Sequence, residues 1–366
     1  MSAGLMVENY ATGQRVRGAP LVLDVLDALA RWHPLEHLHR GLPSHPRRSL
    51  AALVDALVQL TLIQRSDRPR HPAEAALVGW NGWKPAAAFF HRATKDVAYS
   101  GDLAASGRRM RAKARREPMP PAIKRYRGAP RIELPRAATD GEFPQVLLAR
   151  RTWRQFARQP ADLKSLATIL GLTFGVQHWA ELRGLGKVAL KTSPSGGARH
   201  PIECYVLALR IEGLRRGLYH YRPDQHVLEQ LTFGATPHQV SRYLPGQAWY
   251  GDASALVLMT ALFARTQWRY PFARAYRVVL AESGHLAQTF CLLASWLGLA
   301  PFCTMALADS VIERDLGIDG AAESVLYVAG FGVRPDGVDW APWPSLLKRA
   351  RVSTSAVRSG SARSQR

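Results

Sequence analysis

The sequence predicts a chain in two unequal parts, a mostly helical N-terminal part and a larger one that mixes helices and strands. Three observations lead there. Apolar residues recur at helical spacing in 21–29 and 50–60. A Pro- and Arg-rich stretch then interrupts the pattern at 108–135. Beyond about Phe143, short apolar runs of strand type alternate with helical ones. At 366 residues and 47% hydrophobic content, the chain can bury a sizeable core in about two domains. The expected division is an N-terminal winged-helix-like domain at 1–105, a basic linker at 106–142, a main domain at 143–343 and a basic disordered tail at 344–366.

Helices at 21–29 and 50–60 flank a short segment at 35–42 that Gly41 and Pro43 end, and 61–64 has the composition of a strand. Helix, short helix, helix and strand is the order of a winged helix. Its third helix carries Arg47 and Arg48 at the start, then Asp55 and Gln59. A base-reading helix offers more basic and amide side chains, so a peptide-binding or structural role is expected and nucleic acid is not. Trp80, Trp83, Phe89 and Phe90 predict a helix that packs on the main domain rather than lining a substrate groove.

In the main domain, 162–171 reads as a helix with Asp162 at its N-cap and Gly171 past its end. Residues 202–211 read as a buried strand. Residues 218–221 and 226–231 flank Arg222-Pro-Asp-Gln225 as a hairpin. A strand at 254–262, a long helix at 276–299 stopped by Gly298 and Pro301, and a strand at 325–330 complete the order.

The formal net charge is +21. It concentrates in 108–116, 124–127 and 348–366, as expected of a solvated linker and tail, although it also invites an acidic partner. No apolar run reaches the roughly 18 residues of a membrane span, and 1–18 lacks a signal-type apolar core, so a cytoplasmic protein is expected. Cys204, Cys291 and Cys303 lie far apart in apolar surroundings and read as buried, reduced thiols. Glu282, His285 and Gln288 share a helix face but lack a third strong ligand, so no metal is expected.

The most informative stretch is 191–201, Lys-Thr-Ser-Pro-Ser-Gly-Gly-Ala-Arg-His-Pro. Pro194, Ser195, Gly196 and Gly197 leave little bulk above the backbone, so amides and a hydroxyl can approach a flat ligand closely. Arg150, Arg151, Thr152 and Arg154 offer the forked donors and hydroxyl that a phosphate takes. Gly332 and Arg334 follow the last strand and could return to the same phosphate. No GxGxxG follows the first strand and there is no P-loop, which points away from a Rossmann dinucleotide and toward a mononucleotide-like cofactor held by loops.

From Arg150 to Gly332 the chain resembles the nitroreductase-like flavoproteins. More narrowly, it resembles the SagB-type (McbC-like) FMN-dependent dehydrogenases of peptide natural-product maturation. The matching stretches are Arg150-Arg-Thr-Trp-Arg-Gln-Phe156, Pro194-Ser-Gly-Gly-Ala-Arg-His-Pro-Ile-Glu-Cys-Tyr205, Gly217-Leu-Tyr-His-Tyr221 with His226-Val-Leu-Glu229, and Glu282-Ser-Gly-His-Leu-Ala-Gln288 with Leu297-Gly-Leu299. The resemblance implies an α+β fold with a central antiparallel sheet and a homodimer with FMN between subunits. It implies that Arg150, Arg151, Thr152 and Arg154 hold the phosphate and ribityl chain, and that Pro194, Ser195, Gly196 and Gly197 lie against the flavin. Gly332 and Arg334 would complete the phosphate site, with Thr304 near the ring.

Azoline oxidation removes a proton from one ring carbon and a hydride from the other, and a flavin accepts the hydride. The resembling dehydrogenases use a Lys-Tyr pair before the long helix; this chain has Arg269-Tyr270. Arginine keeps its charge and can favour a tyrosinate, but it does not carry a proton. The implied substrate is a modified ribosomal peptide, whose leader, if acidic, the basic linker could attract, and a partner maturation enzyme is implied beside it. An NAD(P)H-dependent reductase of small electrophiles, a winged-helix DNA-binding flavin sensor and a scaffold with an idle flavin site remain as alternatives.

Overall fold

The computed structural model describes residues 5–80, 82–99, 102–117, 119–124, 132–183 and 186–338. In chain order its elements are β1 (Leu5–Asn9), β2 (Gln14–Gly18), α1 (Pro20–Ala28), α2 (Leu35–Gly41), α3 (Arg47–Gln59), α4 (Pro72–Ala76), α5 (Lys84–Ala93), α6 (Leu103–Arg116), α7 (Glu142–Ala149), α8 (Leu163–Phe174), β3 (His178–Leu182), β4 (Gly186–Leu190), β5 (Ile202–Ala208), β6 (Gly217–Arg222), β7 (Val227–Phe233), α9 (Pro237–Tyr243), β8 (Ala255–Leu262), α10 (Phe263–Arg269), α11 (Ala275–Trp296), β9 (Ala300–Thr304), α12 (Asp309–Leu316) and β10 (Glu323–Gly332). The tail expected at 344–366 lies outside the described residues.

The main domain is built on a six-stranded sheet in the order β7-β6-β5-β8-β10-β9, antiparallel at every pairing. The α+β class and the antiparallel sheet are therefore as expected. Strand β8 is apolar except for Thr260 because both its faces are covered. Ala255, Val257, Met259 and Ala261 enter one core with α8 and α11. Leu256 and Leu258 enter the other, with Val240 and Tyr243 of α9 and Ile312 of α12. Alternation along one strand thus assigns successive side chains to opposite layers. Asp162 caps α8 by accepting the Ser165 N–H, as expected, but the helix runs through Gly171 and ends at Gly175.

The N-terminal module has its own core of Val22, Val25, Leu38, Leu50 and Leu57. Its two-stranded element is the leading hairpin β1–β2, not the strand expected at 61–64. That segment instead closes α3. Thr61 takes a positive φ of 55°, and the Leu62 and Ile63 N–H groups turn back to the Leu57 carbonyl. The side-chain amide of Asn9 holds the Thr61 carbonyl at 2.6 Å, which removes the edge a strand would need. The segment expected as linker begins inside α6, whose last turns are a run of exposed Arg and Lys.

The strap at 77–96 joins the two parts. Trp80 and Trp83 are buried in the main domain's core beside Phe263 and Tyr276, as packing predicted, whereas Phe89 and Phe90 are half-exposed. His91 bridges the Tyr276 hydroxyl and the Gly320 carbonyl at 2.9 Å each. Lys95 pairs with Glu313 in a nearly buried ion pair.

Burial holds the His91 pKa down to about 4, and burial pushes Asp309 up to about 6. Their effects on stability oppose. Between about pH 6.5 and 4 the unfolded chain takes a proton that folded His91 refuses, so acidification costs stability, on the order of 3 kcal/mol over the full window. Folded Asp309 takes its proton first, so the same acidification restores stability through it. We expect Asp309→Asn to steepen the loss of Tm between pH 6.5 and 4 and His91→Gln to flatten it. Thermal melts with slopes parallel to wild type would refute both assignments.

Candidate functional site

The glycine-serine ribbon at 192–198 lies along the first half of α11. The helix presents Glu282, His285 and Thr289 to it, at the i, i+3, i+7 spacing of one face. Ser193 and Thr289 share a hydrogen bond at 2.9 Å, and His285 Nδ1 lies 3.4 Å from the Pro194 carbonyl. Ser195 donates its hydroxyl to Glu282 at 2.6 Å and accepts the His200 N–H at 2.8 Å. The Ser195 side chain therefore anchors the ribbon, and Glu282, with 3% of its surface exposed, obtains the donor that a buried carboxylate needs. The ribbon's turn is tight, with positive φ at Gly197 (63°), Ala198 (53°) and His200 (44°).

Both glycines are required by what lies on top of them. A Cβ at Gly196 would meet Val278 at 2.6 Å. One at Gly197 would meet Arg269 Cδ at 2.5 Å and the Tyr270 hydroxyl at 2.8 Å. The Arg269–Tyr270 pair, distant in sequence, thus sits directly against the ribbon. Helix α10 ends at Arg269, so Tyr270 leaves the helix with its side chain half-buried. Arg269 Nε donates to the Tyr270 hydroxyl at 3.1 Å. The exposed ring of Trp268 lies beneath the Arg199 guanidinium.

The arginine cluster forms at the other end of α11. The extended segment after α7 is tied by Trp153 N–H to the Pro301 carbonyl and by Ala157 N–H to the Val333 carbonyl, both at 2.9 Å. This brings 150–154 beside Gly332 and Arg334. Arg334 caps α11, donating to the carbonyls of Leu299 at 2.8 Å and Ser295 at 3.2 Å, and lies over Trp153. Arg151 donates to the Leu148 and Arg150 carbonyls at the end of α7. Gly332 is needed because a Cβ there would strike Phe156 at 2.6 Å. Thr304 lies apart, at the far end of β9 from the strand's Ala300–Gly332 pairing, with its hydroxyl donated to Gln247.

Within one chain the expected cofactor residues therefore form two clusters, not one. Ser195 meets α11 at Glu282 and Arg334 meets it at Ser295, a separation of about 20 Å along the helix. Each cluster suits one part of a flavin mononucleotide. The ribbon brings backbone at Gly196 and Gly197 against Val278, Arg269 and Tyr270, and the other end offers guanidinium groups and Thr152. Beside the arginines, the buried Trp153 indole N–H finds no acceptor among the described residues. Among those residues no group of three or more His, Cys, Asp or Glu could hold a metal ion.

Two features were not legible in the sequence. Cys291 and Cys303, far apart in sequence, lie side by side, and Tyr327 donates to Cys303 Sγ at 3.4 Å. The Cys291 and Tyr327 donors draw the Cys303 thiol below its ordinary range, while the same contact pushes Cys291 up. The N-terminal module also carries a groove of about 860 Å³ between α1, α3 and 62–70, lined by apolar residues such as Leu26 and Val58 and by charged ones, among them Arg31, Arg70, Asp55 and Asp67.

Gly197→Ala should displace Arg269 and Tyr270 in addition to straining the backbone. Gly213 has a similar φ of 72° but open space around it, so Gly213→Ala isolates the backbone cost of about 1 kcal/mol. We expect Gly197→Ala to lower urea-unfolding stability by more than Gly213→Ala. Equal losses would show that the contact with Arg269 and Tyr270 is not tight.

The sequence pattern of the nitroreductase family matches residues 147–333, which include both clusters except Arg334. A Methanocaldococcus jannaschii protein named as a nitroreductase is 32% identical over 177 residues, 48% of this chain and 85% of that one. The trifolitoxin-processing protein TfxB of Rhizobium leguminosarum is 34% identical over 146 residues, 38% of this chain and 39% of TfxB. The microcin B17-processing protein McbC of Escherichia coli is 30% identical over 149 residues, 38% of this chain and 53% of McbC. The chain thus spans about half or less of the two processing proteins. With the family pattern running across half of the chain and through the ribbon and the arginine segment alike, this protein belongs to the nitroreductase family.

Proposed function

We propose that the protein is an FMN-dependent oxidoreductase that dehydrogenates a modified ribosomal peptide, with an azoline-to-azole oxidation as the step. The observation that carries this reading is the Tyr270 hydroxyl, placed with Arg269 over the Gly196–Gly197 ribbon. The likeness to two peptide-processing proteins supports the peptide substrate. Bound FMN would supply the hydride acceptor.

The chain's own residues supply position and proton handling. Gly196 and Gly197 let Val278, Arg269 and Tyr270 close directly onto the ribbon, and a planar ring would lie beside them against the ribbon's backbone. Arg150, Arg151, Thr152 and Arg154 would hold the phosphate end. Tyr270, acting as its phenolate, would take the proton from the substrate carbon at the phenolic oxygen. Arg269, already donating to that oxygen, would stabilise the phenolate and remain protonated itself. Because ribbon and arginines lie at opposite ends of α11, two copies related by a twofold axis would have to complete each site, one giving the ribbon and the other the arginines. The groove of the N-terminal module, lined by apolar residues together with Arg31, Arg65, Arg70, Asp55 and Asp67, would take a segment of the peptide or of a partner enzyme.

A second reading is favoured by the M. jannaschii relative, which this chain matches over 85% of its length: an NAD(P)H-consuming reductase of small electrophiles. The two separate by turnover. We expect purified protein to be yellow with bound FMN and to oxidise an azoline peptide, and Tyr270→Phe to retain FMN while losing about 100-fold or more in kcat. Colourless protein that takes up no added FMN would end the reading. Steady NAD(P)H oxidation without peptide would replace it with the second.

A further inference from the structure

Tyr270 is held from a direction that the reaction chemistry does not require. The residue leaves α10 at φ −127° and ψ 78°, so its carbonyl lies outside the helical ladder. That carbonyl accepts the Phe272 N–H at 2.9 Å across Pro271, a tight three-residue turn. Its second donor comes from far away in sequence, the indole N–H of Trp83 at 2.9 Å. Trp83 has none of its surface exposed and is packed edge-on against Trp80, Phe263 and Tyr276. Its neighbour Gly82 backs Pro271, where even a Cβ would come to 3.4 Å of the proline ring. The strap that leaves the N-terminal module thus grips the backbone on which Arg269 and Tyr270 are mounted.

We propose that Trp83 is a positioning residue for Tyr270: its indole N–H fixes the Tyr270 carbonyl, and through it the placement of the Arg269–Tyr270 pair on the Gly196–Gly197 ribbon. The inference rests on the reading of Tyr270 as the proton acceptor for its effect on turnover, but not for its effect on geometry. A hydroxyl aimed by a backbone with two rigid donors keeps its orientation, and small misplacements at a reacting centre are costly.

The structure supplies its own control. Trp80, in the same aromatic cluster, also donates a buried indole N–H to a backbone carbonyl at 2.9 Å, but to Ala321, away from the ribbon. Trp83→Phe and Trp80→Phe therefore remove the same kind of bond from the same core, and only the first touches Tyr270. In the full chain carrying 3-fluorotyrosine at position 270, we expect the fluorine resonance to shift or broaden in Trp83→Phe and to stay as in wild type in Trp80→Phe. We expect kcat for peptide dehydrogenation to fall about tenfold or more in Trp83→Phe, with little change in KM and with FMN retained. Should Trp83→Phe fail to fold, 3-benzothienylalanine at position 83 keeps the ring's shape and deletes only the N–H, and the same outcomes apply. An unchanged resonance in the position-83 variant, or equal effects from both tryptophans, would overturn the proposal. A shifted resonance without a change in kcat, together with normal turnover in Tyr270→Phe, would uphold the positioning and sink the assigned role of Tyr270.

Discussion

A buried carboxylate must find donors, and the Glu282 side chain on α11 finds Ser195. The rest of the site hangs on that requirement. With its hydroxyl spent on Glu282 and on the His200 N–H, Ser195 pins a ribbon that has few other side chains to pin it. The pinned ribbon then takes three positive φ values within four residues, a conformation that the surrounding contacts impose. Only then do Gly196 and Gly197 present bare backbone to Val278, Arg269 and Tyr270. Ser195 thus bolts in place the backbone on which Arg269 and Tyr270 close.

Helix α11 acts as the ruler of the molecule. Covered on its sheet side by the core residues Val279, Leu286 and Phe290, it fixes the ribbon near its start and the Arg334 cap at its end. The spacing between them is set by helical rise and cannot shorten without unwinding. A mononucleotide whose ring and phosphate need both clusters cannot be served by one copy of such a helix. This is the physical ground for placing the proposed site between two subunits.

Much of this was legible beforehand. Five of the six strands of the main sheet follow apolar runs with recognisable turns, β9 being the one not read, and the cap at Asp162 and the hairpin around Pro223 obey local rules that need no tertiary knowledge. The candidate site residues stood out as short motifs of glycine, serine and arginine, and the structure gathers most of them at two places along α11. What escaped was set by long-range contact. Residues 61–64 have strand composition, yet Asn9 claims the Thr61 carbonyl from 52 positions away. Gly171 has the look of a helix stop, yet α8 continues for another turn into a buried Phe174. Cys291 and Cys303 meet because β9 returns alongside α11, a fact of topology invisible in their spacing.

The strap carries a consequence for how the chain can be divided. Composition changes sharply after about residue 105, and a cut there would seem to separate a small module from a self-sufficient enzyme. The packing says otherwise. The indoles of Trp80 and Trp83 are filled volume inside the larger half, and the imidazole of His91 satisfies a hydroxyl and a carbonyl there. A truncated chain starting after the strap would leave a hollow beside Phe263 and strand both polar groups, a wound of the kind that large-to-small core replacements inflict. The protein is modular in its lettering and indivisible in its interior.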